Sequence, residues 1–218
     1  MSEDRELKQR VIDELNWEPS VNAAHIGVTA KDGVITLIGH VETYAERFAA
    51  ERAAKKVRDV KAVAEELEVK QPIEQRYSDE EITAAAIERL KWDAAIPDNA
   101  VKVEVEDGWV TLTGAVDWHY ELESAADDIR GLRGVVGVSN EITIKSRVNA
   151  DNIRDGIMTA LHRSWFNPNM IKKINVTEKD GKVTLTGTVD YWADRDMAGT
   201  TAWAAAGVTS VDNDIRVD

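Results

Sequence analysis

Apolar positions along the chain change period in a fixed order, and that order occurs three times. Leu7, Val11, Ile12 and Leu15 recur at helical spacing, after which Ile26, Val28 and Ala30 alternate as in a strand. Asp32-Gly33 follows, the turn dipeptide expected between two paired strands. The return strand places Ile35, Leu37 and Val41 on one side and Val34, Thr36 and Ile38 on the other. A second helix is predicted from Thr43 to Arg58, with Ala50, Ala54 and Val57 as its apolar stripe, and a closing strand from Val63 to Val69. Ser2 and Asp4 are available to cap the first helix.

The most regular stretch is DGWVTLTGAV, Asp107 to Val116. It has counterparts in DGVITLIGHV, Asp32 to Val41, and DGKVTLTGTV, Asp180 to Val189, at offsets of 75 and 73 residues. Such a period marks tandem modules. The second carries Ile82, Ala86, Ile87 and Leu90, then Val101, Val103 and Val105, Val110 and Leu112, Ala125, Ile129 and Leu132, and Val138, Ile142 and Ile144. Ser78 and Asp79 are its available caps. The third carries Ile153, Ile157 and Leu161, then Ile174 and Val176, Val183 and Leu185, Ala198, Ala202 and Ala205, and Val211, Ile215 and Val217. The expected fold class is therefore α+β: three α-β-β-α-β modules, at 3–70, 78–145 and 149–217. Each would be a three-stranded mixed sheet with two helices on one face. Because each repeat has a complete apolar set, each is expected to build its own core. The other sheet face, with Thr36, Thr111 and Thr184, is expected to be solvated or covered by a neighbour.

Charge narrows the partners. The chain has 40 acidic and 27 basic side chains, a net of −13. The excess is uneven: 11 basic and 14 acidic residues in 1–71, but 7 and 16 in 72–146. Such a surface repels polyanions, so no nucleic-acid partner is expected. Cysteine is absent, which excludes thiol catalysis and disulfide staples. The first residues are charged and contain no apolar run, so the expected location is the cytoplasm; a leader already removed would place the protein in the periplasm.

Candidate chemistry is sparse. His25, His40, His119 and His162 are not at metal-ligand spacing, and no serine elbow accompanies them. Neither a catalytic set, nor a metal site, nor a cofactor is expected. Gly39, Gly114 and Gly187 end the second strands and read as structural glycines. Trp17, Trp92 and Trp165 share one place after the first helix, and that repetition predicts packing against the end of each core. Trp109, Trp118, Tyr191 and Trp192 instead form the candidate interaction surface. Trp109 is expected on the open sheet face, with Trp118 and Tyr191 at the neighbouring sheet end where second helices start. Arg52, Lys55, Lys56, Arg58 and Lys61 form a basic cluster, expected to be a solvated face, with anionic lipid as the alternative contact.

These segments resemble the BON-domain family of small bacterial modules. The likeness is carried by Leu15, Leu90 and Leu161, by the three Asp-Gly segments with Gly39, Gly114 and Gly187, and by two closing patterns. These are Gly134-Val135 with Val138-Ser139-Asn140, and Gly207-Val208 with Val211-Asp212-Asn213. Module one departs from the pattern, with Asp59-Val60 for Gly-Val and Glu65 in the Asn position, which leaves its turn geometry open. The resemblance implies a non-catalytic role in osmotic or envelope stress. It also implies engagement of membrane phospholipid, envelope components or protein partners, with a homo-oligomer as one possible assembly. In one subgroup it implies potassium binding, so a soluble potassium or small-solute sensor, or a transport-associated protein, stands as the alternative.

Overall fold

The computed structural model describes residues 2–72, 76–145, 152–164 and 174–217. The first repeat runs α1 (Ser2–Trp17), β1 (Ile26–Lys31), β2 (Val34–Val41), α2 (Tyr44–Lys56) and β3 (Ala62–Val69). The second runs α3 (Asp79–Trp92), β4 (Val101–Glu106), β5 (Trp109–Val116), α4 (His119–Arg130) and β6 (Gly137–Ile144). The third runs α5 (Ile153–Ser164), β7 (Ile174–Lys179), β8 (Lys182–Val189), α6 (Trp192–Trp203) and β9 (Ser210–Val217). Each repeat has its own three-stranded sheet with the second strand in the middle. β2 pairs antiparallel with β1 and parallel with β3, and β8 does the same with β7 and β9. The chain forms two compact units, one of Met1–Asp93, Val103–Leu112 and Ala126–Asn140, the other of Ala94–Lys102, Thr113–Ala125 and Glu141–Asp218.

The core follows the strand parity. Leu37, Leu112 and Leu185 are fully buried in the middle strands, as are Ile35, Val110 and Val183 two residues before them. In the third repeat one apolar cluster joins Ile157 and Leu161 of α5, Ala198 and Ala202 of α6, and Val176, Leu185 and Ile215 of the strands. Both helices thus cover the same sheet face, and small alanines let α6 lie close to it.

Turn chemistry fixes the register. Asp32 and Gly33 both take positive φ, 53° and 86°, as do Asp107 with Gly108 and Asp180 with Gly181. Two successive left-handed residues match the twist of paired strands. Asp4, expected as a cap, instead accepts the Asp32 amide at 2.9 Å, and Asp79 accepts the Asp107 and Gly108 amides at 2.9 Å each. The first turn of each of these helices thereby holds its hairpin. Ser78 caps α3 in a reciprocal pair with Glu81.

The closing turn of module one keeps its geometry despite the altered sequence. Asp59 has φ 70°, close to the 90° of Gly134 and the 89° of Gly207, and aspartate tolerates this region better than most residues. Glu65 likewise substitutes for asparagine. Its Oε1 accepts the Leu67 amide at 3.2 Å, as Asn213 Oδ1 accepts the Ile215 amide at 3.3 Å.

Gly39 and Gly114 have φ of 130° and 136°, and a Cβ at either would collide with a backbone carbonyl oxygen, that of His25 or Ala100. Gly131, by contrast, has open space around the Cβ position. Gly114→Ala should therefore lower stability by on the order of 2–3 kcal/mol, whereas Gly131→Ala should stay within about 0.5 kcal/mol. Urea unfolding of the two variants checks both values.

Candidate interaction surfaces

Trp17 and Trp92 do not close the core. They are 82% and 81% exposed, which corrects the packing expectation, while Trp165 lies outside the described residues. The reason is helical geometry. Leu15 and Leu90 are the buried residues, and two positions further along a helix is a turn of about 200°, which faces each indole outward. Trp17 borders a shallow depression of about 550 Å³ with Arg10, Asp13, Glu14, Lys56, Val57 and Arg58. The end of α1 and the end of α2 thus bring an exposed indole beside three cations.

The residues of the predicted basic cluster are partly paired. Lys55 meets Glu51 at 2.7 Å, Lys56 meets Glu18 at 3.6 Å, and Arg58 lies 3.8 Å from Asp59. Asp59 is also held by Arg10 at 2.8 Å. Arg52 lies over the Phe48 ring, 5.9 Å from its centre. Lys61 sits apart, with its aliphatic stem against Gly33. The Ser20 hydroxyl and amide, and then Lys56, hold the Glu18 carboxyl below its ordinary range.

Trp109 finds a use within its own sheet. Its ring covers Gly137 on β6, and its Nε1 donates to Ser139 Oγ at 2.8 Å, leaving the residue 45% exposed. A cross-strand aromatic over a glycine restores the packing that the missing side chain leaves open. Trp118 is not its neighbour at one sheet end, because β5 begins at Trp109 and finishes before Trp118. Trp118 and Trp192 are half-buried, and Tyr191 is 45% exposed. Arg195 lies 4.9 Å over Trp192, and it donates to the Ile215 and Asn213 carbonyls at 3.0 and 2.7 Å.

Two further contacts join helices within a unit. Arg130 of α4 stands 4.4 Å over the Phe48 ring of α2 in the first unit, and it also pairs with Asp127. In the second unit the His119 ring stacks on Trp203 at 4.0 Å. Trp203, a tryptophan without a counterpart in the other modules, therefore joins α6 to α4. Sequence reasoning also missed Glu46 and Glu121, both buried at the start of second helices. Glu46 accepts the Asn22 and Glu42 amides at 2.7 and 2.9 Å, and Glu121 accepts those of Asp117 and Trp118 at 2.8 and 3.0 Å. Their spacing after Thr43 and Trp118 was the available signal, since an acid at the third helical position bonds back to the entering chain. His25 and His40, distant in sequence, stack with ring centres 4.6 Å apart.

The repeated α-β-β-α-β order, the left-handed Asp-Gly turns and the glycine-closed middle strands agree with a match to the BON domain model over 3–71, 78–146 and 149–218. The chain belongs to the BON-domain family. It is also similar to the osmotically-inducible protein Y of Escherichia coli K12, at 32% identity over 130 residues. That match takes in 58% of this chain and 65% of the relative's length. Two solved structures of CdsD, a structural protein of the type III secretion system of Chlamydia trachomatis, align at 16% identity with a TM-score of 0.26. They cover 96% and 97% of this chain and 91% and 97% of theirs, and at that score they do not bear on fold or function.

Among these surfaces of the BON protein, the His119–Trp203 stack is expected to respond to acid. Burial holds the His119 imidazole below the ordinary histidine value of 6.5, so the folded state favours the neutral ring. The unfolded chain then binds more protons, and the stability is complete above that value and lost as pH falls below it. Exchange protection of α6 should decline between roughly pH 7 and pH 5. His119→Phe, which keeps an aromatic face, should remove that decline in a hydrogen-exchange measurement.

Proposed function

We propose that this BON protein is a non-catalytic stress-response binding protein whose first module presents an anionic-membrane contact surface. The osmotic role rests on the relative named osmotically-inducible protein Y and on the family itself. The observation that carries the membrane reading is the exposure of Trp17 beside Arg10, Lys56 and Arg58. An indole suits the headgroup level of a bilayer, where its apolar body and polar N–H are both accommodated. Arg10, Lys56 and Arg58 are each paired with Glu18 or Asp59, and each adds attraction to anionic lipid, roughly 1 kcal/mol, where a lipid phosphate takes the place of that carboxylate. Trp92 repeats the indole at the end of α3, so a second module offers the same apolar contact. The net charge of −13 opposes approach to such a surface, which makes the local cations and the indoles decisive.

Sedimentation with phosphatidylglycerol vesicles tests this reading, with phosphatidylcholine vesicles as the neutral control. Binding should fall as salt rises, and tryptophan emission should shift to the blue on binding. Charge reversal by Lys56→Glu with Arg58→Glu should weaken binding by roughly thirtyfold or more, and Trp17→Ser should remove part of the blue shift. Absence of binding at low salt, or binding unchanged in both variants, would overturn the membrane contact. A potassium-specific rise in melting temperature over sodium, without vesicle binding, would favour the solute-sensing alternative.

A further inference from the structure

Glu46 and Glu121 hold equivalent places, each buried at the start of its second helix. Seven residues further along the same helix face lie Ala53 in module one and Asp128 in module two. Ala53 is fully buried, so the module fold takes a small apolar side chain at this place, and module two puts a carboxyl there. A buried carboxylate is costly unless its oxygens find donors. One of them does: Arg89 of α3 donates its Nε–H to Asp128 Oδ1 at 2.8 Å. Asp128 Oδ2 is buried, and no group among the described residues donates to it. The Asp128 side chain is 10% exposed, whereas that of Arg89 is 60% exposed and its charge is screened by water.

The neighbour of this carboxyl is a second acid. Asp93 is the C-cap of α3, and its carboxyl is within hydrogen-bonding reach of Asp128. Two carboxylates so placed repel one another, and neither can donate to the other. A single proton reverses both effects, because it turns one oxygen into an O–H donor and leaves the other acid to accept. Arg89 and Asp93 are the charged groups that face Asp128, both from α3. On α4 itself, Asp127 is paired with Arg130.

We propose that Asp93 and Asp128 form an acid-closed clasp, in which one shared proton joins the two carboxyls and fastens α3 to α4. The proton comes from solvent, Asp128 holds it on Oδ2, and the Asp93 carboxylate accepts the hydrogen bond. Burial holds the Asp128 carboxyl above the ordinary aspartate value of 3.8, with Arg89 opposing and the Asp93 charge adding to the rise. The folded chain therefore keeps a proton that the unfolded chain gives up. The added stability is complete below the ordinary value and is lost as pH rises through the folded one. His119, at the other end of α4, has the opposite sign, since its stack on Trp203 weakens in acid. Acid thus fastens one end of this helix to α3 while it loosens the other end from α6.

Two measurements on the full chain test the clasp. Carboxyl-carbon NMR follows the titration of Asp93 and Asp128, and hydrogen exchange follows the protection of α3. The pair should titrate in two steps, one of them above the ordinary aspartate value. Asp128→Asn keeps the shape and supplies a permanent N–H donor, so its α3 should not gain from acid. Protection of α3 in the parent, relative to Asp128→Asn, should rise about twofold or more between about pH 7 and pH 4.5. Both chains carry His119→Phe in the exchange experiment, so that the opposing contact does not titrate. Asp93→Asn should bring the Asp128 carboxyl down toward its ordinary value. An Asp128 carboxyl that titrates at or below 3.8 in the parent, or a protection ratio that does not change with pH, would overturn the proposal. If Asp128→Asn does not fold, the titration of Asp128 in the parent decides.

Discussion

Each module packs its two helices against one face of a three-stranded sheet, and that constraint governs most of the molecule. A three-stranded sheet offers one face to its two helices, so the core is a single layer of side chains from alternate strand positions. The middle strand supplies its centre, which is why Leu37, Leu112 and Leu185 are fully buried. So thin a core tolerates little loss, since a buried leucine contributes about 2–3 kcal/mol. The backbone compensates with tight geometry: left-handed Asp-Gly turns, glycines at the strand crossings, and acids that gather the amides of entering chain segments. These features recur because the core they close recurs.

What varies between modules lies outside that layer. The open sheet faces hold His25, His40, Val34 and Ile38 in module one and Trp109 in module two. Helix ends hold Trp17 and Trp92, and the second helices hold Phe48, Arg130 and His119. Individual identity is thus written on surfaces the common fold leaves free. Polar networks there are adjusted locally. Arg47 grips Glu65 through its Nε at 2.7 and 2.8 Å, whereas Arg195 reaches carbonyls on β9 because Asn213 replaces the acid.

The fold was legible because period and turn chemistry agree: strands alternate, helices recur at every third or fourth residue, and Asp-Gly marks each hairpin. The surfaces were harder to read. The shared place of Trp17 and Trp92 suggested burial, yet the angle between successive helical residues turned both outward. Trp109 gave no hint of Gly137, because the two meet only through the pairing of β5 with β6. His25 and His40 were legible as a pair, because the Asp32-Gly33 turn sets the hairpin register and places them opposite one another; the stacking of their rings was not. Asp59 shows the reverse case, where a departure from glycine in sequence left the left-handed turn intact.

The central claim is that each covered sheet face is a core of its own, and the third module states it most completely, since its apolar cluster draws on residues of that module. Leu185→Asp puts a carboxylate at the centre of that cluster, a cost of several kcal/mol if it stays charged. Hydrogen exchange followed by mass spectrometry should show protection lost across α5, β7, β8, α6 and β9, with α1 to β3 keeping theirs. Protection lost to the same degree throughout the chain would contradict the account and indicate one cooperative core.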